Sequence, residues 1–264
     1  MLLTAALYGG CSYGTSRRKL DLPVRHPGAA ALWLFHQLQV RSGRIQAVDV
    51  FDRSVARFYV FVLPEDRPSC PVCQEAQGRM FLPSVAGKVG FSPLEGLCRG
   101  AAPCQGVLVG LYGGWPEARA LVSRLQRSSR KRPLRLSPDE IQRLASGAWS
   151  KSVSADSDRI SMRLLEGWCF ATSDLPAAID GLRYVVDRVK EPRHFSYVVP
   201  ASLRLMELLL KAGRDDAARV AIEQFELRFP ADRHEADAPT FAQLGVLKNM
   251  KSRLWETQSL KISA

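Results

Sequence analysis

After Pro27, apolar residues recur along most of the chain at three- and four-residue steps, the spacing that lines one face of an α-helix. Leu32, Trp33, Phe35, Leu38 and Val40 form a first apolar segment, which Ser42-Gly43 interrupts. Ile45, Val48, Phe51, Val55 and Phe58 form a second, so residues 29–58 are predicted to be two amphipathic helices joined by a tight turn. The arrangement returns three times. Gly113-Gly114 precedes Ala118, Leu121, Val122 and Leu125; Thr172-Ser173 precedes Leu175, Ile179, Leu182, Val186 and Val189. Gly213 stands between Leu203, Met206 and Leu210 on one side and Ala218, Ile222, Phe225 and Phe229 on the other.

Small residues follow each turn, at Ala47, Ala118, Ala177 or Ala178, and Ala217 or Ala218. They would let the two helices of a hairpin approach closely. Pro64, Pro133, Pro192 and Pro230 then close several units, because proline lacks the amide N–H and disfavours helix in the residue before it. The turns are spaced 35 residues apart from Gly43 to Gly78 and again from Gly78 to Gly113, then 60 to Ser173 and 40 to Gly213. Repeats in the mid-thirties are the mark of stacked helix pairs. The unit around Gly78 fits poorly, with Pro71 and Pro83 inside it, and Ser137 to Ser161 reads as an inserted or degenerate segment. There Asp156 and Asp158 read as turn and N-cap residues ahead of a helix starting near Ile160. Leu244, Leu247, Leu254 and Trp255 among Lys and Arg predict one last amphipathic helix, a cap on the stack or a partner-docking helix.

The expected fold is mostly α: stacked antiparallel helical hairpins, repeat- or solenoid-like, with a small Cys-containing knuckle inserted. Gly43-Arg-Ile-Gln-Ala-Val-Asp-Val-Phe51 and Lys211-Ala-Gly-Arg-Asp-Asp-Ala217 resemble the turn and second helix of pentatricopeptide repeats, and the related tetratricopeptide repeats fit almost as well. The resemblance covers 28–135 loosely and 159–230 better. Pentatricopeptide proteins read single-stranded RNA one base per repeat through side chains on each unit's first helix. Leu203 to Leu210 is nearly all apolar, however, so no legible base code carries over. What the resemblance implies is a degenerate member serving as a structural subunit, as on an organellar ribosome.

Four regions result: 1–27, 28–135 with the hairpins, cysteines and a basic patch, 136–158 as linker or degenerate unit, and 159–264 as a helical-repeat region. In residues 1–27 Asp21 is the lone acid, set among Arg17, Arg18, Lys19 and Arg25 with hydroxylated residues before them. That is the composition of a mitochondrial transit peptide, and equally of a basic arm lying along a partner.

Cys70-Pro-Val-Cys73 could grip a tetrahedral metal, with Cys98 and Cys104 completing a structural zinc site or an iron–sulfur cluster. The second pair has five intervening residues, which is not the usual knuckle. A redox pair is a further reading, though the sequence shows no clear strand–helix–strand pattern around it. Burial in helix contacts, with no cofactor at all, is the plain alternative. Cys11 and Cys169 stand alone.

Charge changes the picture most. With 37 Lys+Arg against 26 Asp+Glu in 264 residues, the formal charge is +11 and the pI near 9.7, which favours a polyanionic partner. No acid falls between Glu117 and Asp139, a stretch holding Arg124, Arg127, Arg130, Lys131, Arg132 and Arg135. Such a cluster suits a phosphate backbone and carries no base specificity. Arg17, Arg18 and Lys19 would add to it. No apolar run reaches the roughly 18 residues of a membrane span. Motifs for metalloprotease, phosphate-loop, dinucleotide and nucleophile-elbow chemistry are missing, and His26, His36, His194 and His234 are scattered.

The chain is therefore expected to be no enzyme and to need no small-molecule substrate. It is expected to be an RNA-associated structural subunit of a ribonucleoprotein, touching rRNA and neighbouring proteins of an organellar (mitochondrial) ribosome; residence in the cytoplasm is the alternative. A tetratricopeptide-type protein adaptor without RNA contact is the rival.

Overall fold

A computed structural model of the chain describes residues 56–67, 69, 71–82, 106–111, 113, 116–128, 134–146, 156–189, 195–230, 239 and 241–262. The N-terminal arm and the helices expected before residue 56 lie outside the described residues. Among those residues the molecule is mostly helical, with eight helices packed in sequence and one small antiparallel sheet.

The sheet comes first and corrects the helical expectation for this part of the chain. Phe58, expected on a helix face, opens strand β1 (Phe58–Val62). β1 is the centre of the order β2-β1-β3, with β2 at Met80–Phe81 and β3 at Val107–Leu111. Both pairings are antiparallel, with Tyr59 opposite Phe81 and Gly110, and Val60 opposite Met80 and Val109. Phe-Tyr-Val-Phe-Val is a run of aromatic and β-branched residues, all of them buried. A strand covered on both faces shows no polar–apolar alternation, so period alone cannot tell it from a helix segment.

Two of the expected turns consequently join different elements. Gly78, at φ +74°, links a short helix α1 (Pro71–Ala76) to β2, and Gly113, at φ +72°, follows β3 and leads towards α2 (Pro116–Gln126). Neither connects two helices of a hairpin. The inward face expected for α2 is present, with Ala118, Leu121 and Leu125 buried.

Helix α3 (Pro138–Ala145) lies within the segment 136–158 and is closed at its start by a capping box. Ser137 Oγ accepts from the Glu140 amide at 3.1 Å, and Glu140 Oε2 accepts from the Ser137 amide at 2.8 Å. Asp158 is also corrected. Helix α4 (Asp156–Cys169) already begins before it, and its fully buried carboxylate accepts from the Gly113 amide at 3.3 Å.

From α4 onward the expected hairpins are present. α4 packs on α5 (Leu175–Arg188), α5 on α6 (Phe195–Lys211), and α6 on α7 (Asp215–Arg228). Asp174 caps α5 by accepting from the Ala177 amide, and Ala178, Ile179, Leu182 and Val189 are buried as their spacing predicts. Close approach of α4 and α5 depends on glycine as well as alanine: a Cβ on Gly167 would lie 2.3 Å from Leu182 Cγ. At the next turn Gly213 takes φ +67° while the Gly213 and Arg214 amides bond back to the Leu210 and Leu209 carbonyls. The last helix, α8 (Phe241–Ile262), buries Leu247, Met250 and Leu254 and packs on α6 and α7. Leu244 and Trp255, expected on the same face, are exposed instead.

One core joins the two halves, since α4 also packs on β3 and β1. A strap at the end of β1 strengthens the junction. The Glu65 amide donates to the Trp168 carbonyl at 3.1 Å, and its Oε2 accepts from the Thr172 and Ser173 amides in the α4–α5 turn. Asp66 and Arg67 then reach α6.

Candidate functional site

The described part of the expected basic patch falls on a lobe made of α2 and α3, with residues 127–128 and 134–137 between them. Arg119, Arg124, Arg127, Arg135 and Arg143 are all exposed there. Arg130, Lys131 and Arg132, like Arg17, Arg18 and Lys19, lie outside the described residues. Two of the described arginines also pair with acids, Arg124 within the lobe and Arg135 across to α1. Arg124 Nη1 meets Glu140 Oε1 at 2.9 Å, tying the end of α2 to the capping box of α3. Arg135 Nη2 lies 3.9 Å from Glu75 Oε1, and its backbone forms an isolated antiparallel bridge with Arg79. The Ser137 amide and then Arg124 hold the Glu140 carboxyl below its ordinary value. Arg124 and Arg135 nonetheless keep 42% and 41% of their side chains in solvent, and a guanidinium has five N–H groups to share. Arg127, one turn beyond Arg124, donates its Nε to the Ser123 carbonyl at 3.1 Å.

Cys73, buried on α1, lies in the core cluster beside the sheet. Cys70, Cys98 and Cys104 lie outside the described residues. Among the described residues no group of three or more His, Cys, Asp and Glu is placed to hold a metal ion. The Cys169 thiol is pushed up to about 12, first by burial and then by the Glu65 carboxylate, so it stays protonated near neutral pH.

Two further surfaces were not flagged by the sequence. One is an open groove of about 920 Å³ between α5 and α7, floored by Leu205, Met206 and Leu209 of α6. Val220 and Leu227 of α7 flank it with 51% and 84% exposure. The other is a cleft of about 710 Å³ between α6, α8 and the strap, and it is strongly charged. At its floor Arg204 is only 3% exposed and pairs through Nη2 with Asp66 Oδ1. Lys211 Nζ meets Asp66 Oδ2 at 3.4 Å, and Arg67 pairs with Glu207. Burial raises the Asp66 pKa, but the hydrogen bond and charge of Arg204, with Lys211, outweigh it and hold the group below 3.8. The signal for Arg204 was present in the sequence: one of two charges, with Glu207 three residues on, inside the apolar run Leu203 to Leu210.

No family model, curated protein or solved structure matches this chain. Among the described residues no helix is long and apolar enough to cross a membrane.

Proposed function

We propose that the protein is a non-catalytic, RNA-associated structural subunit of a ribonucleoprotein assembly, set in an organellar (mitochondrial) ribosome. Its C-terminal hairpins α4–α7, closed by α8, act as a degenerate pentatricopeptide-like stack that serves as scaffold rather than base reader. The observation that carries the reading is the α2–α3 lobe: five exposed arginines flank the segment containing Arg130-Lys131-Arg132, in a chain of net charge +11. Lysine and arginine on such a surface bind a phosphate backbone by releasing counterions, without reading bases.

The ion pairs of Arg124 with Glu140 and of Arg135 with Glu75 on α1 divide the work of the patch. Those two fix its shape, and Arg127 with Arg130, Lys131 and Arg132 meets phosphate. Replacing these last four by Glu is therefore expected to abolish RNA association while leaving the fold intact. For single-stranded RNA, each phosphate contact removed should lower the steepness of the log–log salt dependence by about 0.7. A variant that binds RNA with unchanged affinity and salt slope would refute the assignment.

One observation favours a second reading as a protein adaptor. The α5–α7 groove, with Val220 and Leu227 exposed beside it, is the kind of apolar surface that takes a partner helix. Association that survives RNase but fails in a Val220→Ser/Leu227→Ser variant would decide for the adaptor.

A further inference from the structure

The charged cleft between α6, α8 and the strap has an imbalance that its own residues leave open. Asp66 accepts from Arg204 and Lys211, and Glu207 faces both Arg67 and Arg204, so the two carboxylates each engage two cations. Lys211 also donates to the Ala171 carbonyl at 3.2 Å, but Arg204 is less well served. Arg204 Nη1 stands 3.7 Å from Glu207 Oε2, an ion-pair distance but too long for a hydrogen bond, and its Nε has no acceptor among the described residues. Both atoms are buried. An unmet buried donor costs about 1–3 kcal/mol, and a charged one more. A cluster of ionised groups under cover is also a poor way to gain stability, because apolar residues of similar volume commonly do as well or better. What is lacking here is an acceptor, which excludes a cation as the natural ligand.

The rest of the lining points the same way. Arg253 of α8 and Lys211 of α6 line the same cleft as Arg204 and Arg67, against the acids Asp66, Glu207 and Asp215. The cationic groups outnumber the anionic by one. The volume, about 710 Å³, is in the range of a small-ligand pocket and exceeds what one ion needs. We propose that this cleft is a phosphate-binding site, with the Arg204 guanidinium as its floor and Lys211 and Arg253 as its rim. Donors on three side chains suit the three terminal oxygens of a phosphate better than the two of a carboxylate, and arginine's planar fork holds such oxygens in pairs. The phosphate comes either from a free phosphate compound or from the 5′-phosphate end of an RNA strand. The cleft is built from the helical half and the strap, so the site stands or falls independently of the basic lobe.

The test is made on the full-length chain labelled with ¹⁵N-arginine, following the side-chain Nε–H signal of Arg204 while inorganic phosphate is added at constant ionic strength. The signal is assigned by its loss in Arg204→Lys, or by through-bond correlation if that variant does not fold. A saturable shift is expected, with affinity weakened about tenfold or more in a Lys211→Gln/Arg253→Gln variant, both changes lying at the exposed rim. Parallel titrations use short single-stranded RNA with and without a 5′-phosphate. A shift with the 5′-phosphorylated RNA and not with the unphosphorylated one assigns the strand's terminal phosphate, a shift with inorganic phosphate alone assigns the free compound, and an equal shift with both RNAs overturns the three-oxygen site. An Arg204 signal unmoved in every arm overturns the site, as does a shift of equal affinity in the rim variant. Loss of RNA binding through the Arg127 lobe would leave these outcomes unchanged, so the two proposals fail separately.

Discussion

Gly78 and Gly213 have nearly the same left-handed backbone, at φ +74° and +67°, but they sit in very different surroundings. A Cβ on Gly78 would lie 2.4 Å from the Leu136 carbonyl oxygen, whereas one on Gly213 would meet nothing within 4 Å. The first turn is clamped by a turn-to-loop contact 58 residues away; the second is an open hairpin turn set by its own neighbours. The same contrast runs through the whole molecule. The sheet half is assembled by contacts distant in sequence, such as β1 with β3. The helical half is assembled from adjacent hairpins.

That contrast makes the sharpest stability prediction. Gly78→Ala is expected to cost about 3–4 kcal/mol, combining a strained left-handed residue with a backbone clash. Gly213→Ala should cost only about 1 kcal/mol, the conformational part alone. Urea denaturation of the two variants measures both, and equal losses would break the distinction between the halves.

Next in size is the strap that bridges them. Asp66→Asn removes a partner from the buried Arg204 and should cost about 3 kcal/mol at neutral pH. Because the folded Asp66 pKa lies below 3.8, its contribution is present above that pH and lost as the pH falls through the folded value. The gap between wild type and Asp66→Asn should therefore close on acidification below about pH 4. A gap that stays constant to lower pH would show that Asp66 does not act through its charge.

Smaller effects test each half separately. Ser137→Ala removes the capping hydroxyl of α3 and should cost about 1 kcal/mol in thermal or urea unfolding. Glu166, on α4, should behave in the opposite way to Asp66. Burial raises its pKa above 4.5 despite the Arg163 partner at 2.7 Å. Its folded state therefore loses stability as pH rises past 4.5, and Glu166→Gln should slightly raise the Tm at neutral pH but not at pH 4. A neutral-pH loss in this variant would mean that the Arg163 pair outweighs desolvation.

The division between local and distant contacts also explains what was legible in the sequence. α5, α6 and α7 follow from their apolar spacing, their Thr172-Ser173 and Gly213 turns and their small contact residues, all within a few tens of residues, and the last helix follows in place though Leu244 and Trp255 lie off its buried face. The strands do not stand out by period because Phe58–Val62 is buried throughout and Val107–Leu111 nearly so, which erases the alternation that separates strand from helix. For Phe58–Val62 the clue is composition, aromatic and β-branched residues in a five-residue run. The arginine cluster was visible as a charge run, but the structural duty of Arg124 and Arg135 was not, because their partners Glu140 and Glu75 are set by the fold. The Arg204 cleft was hidden for the same reason. Asp66 is 138 residues from Arg204, and no local pattern joins them.

The most direct test of the proposed role is gradient sedimentation of the tagged full-length protein from organelle lysate at moderately high salt, with and without RNase. Wild type is expected to travel with ribosomal subunits and to move to the top after RNase, and the Arg127/Arg130/Lys131/Arg132→Glu variant to remain at the top throughout. Wild-type protein at the top of the gradient in both lanes would contradict the ribonucleoprotein reading.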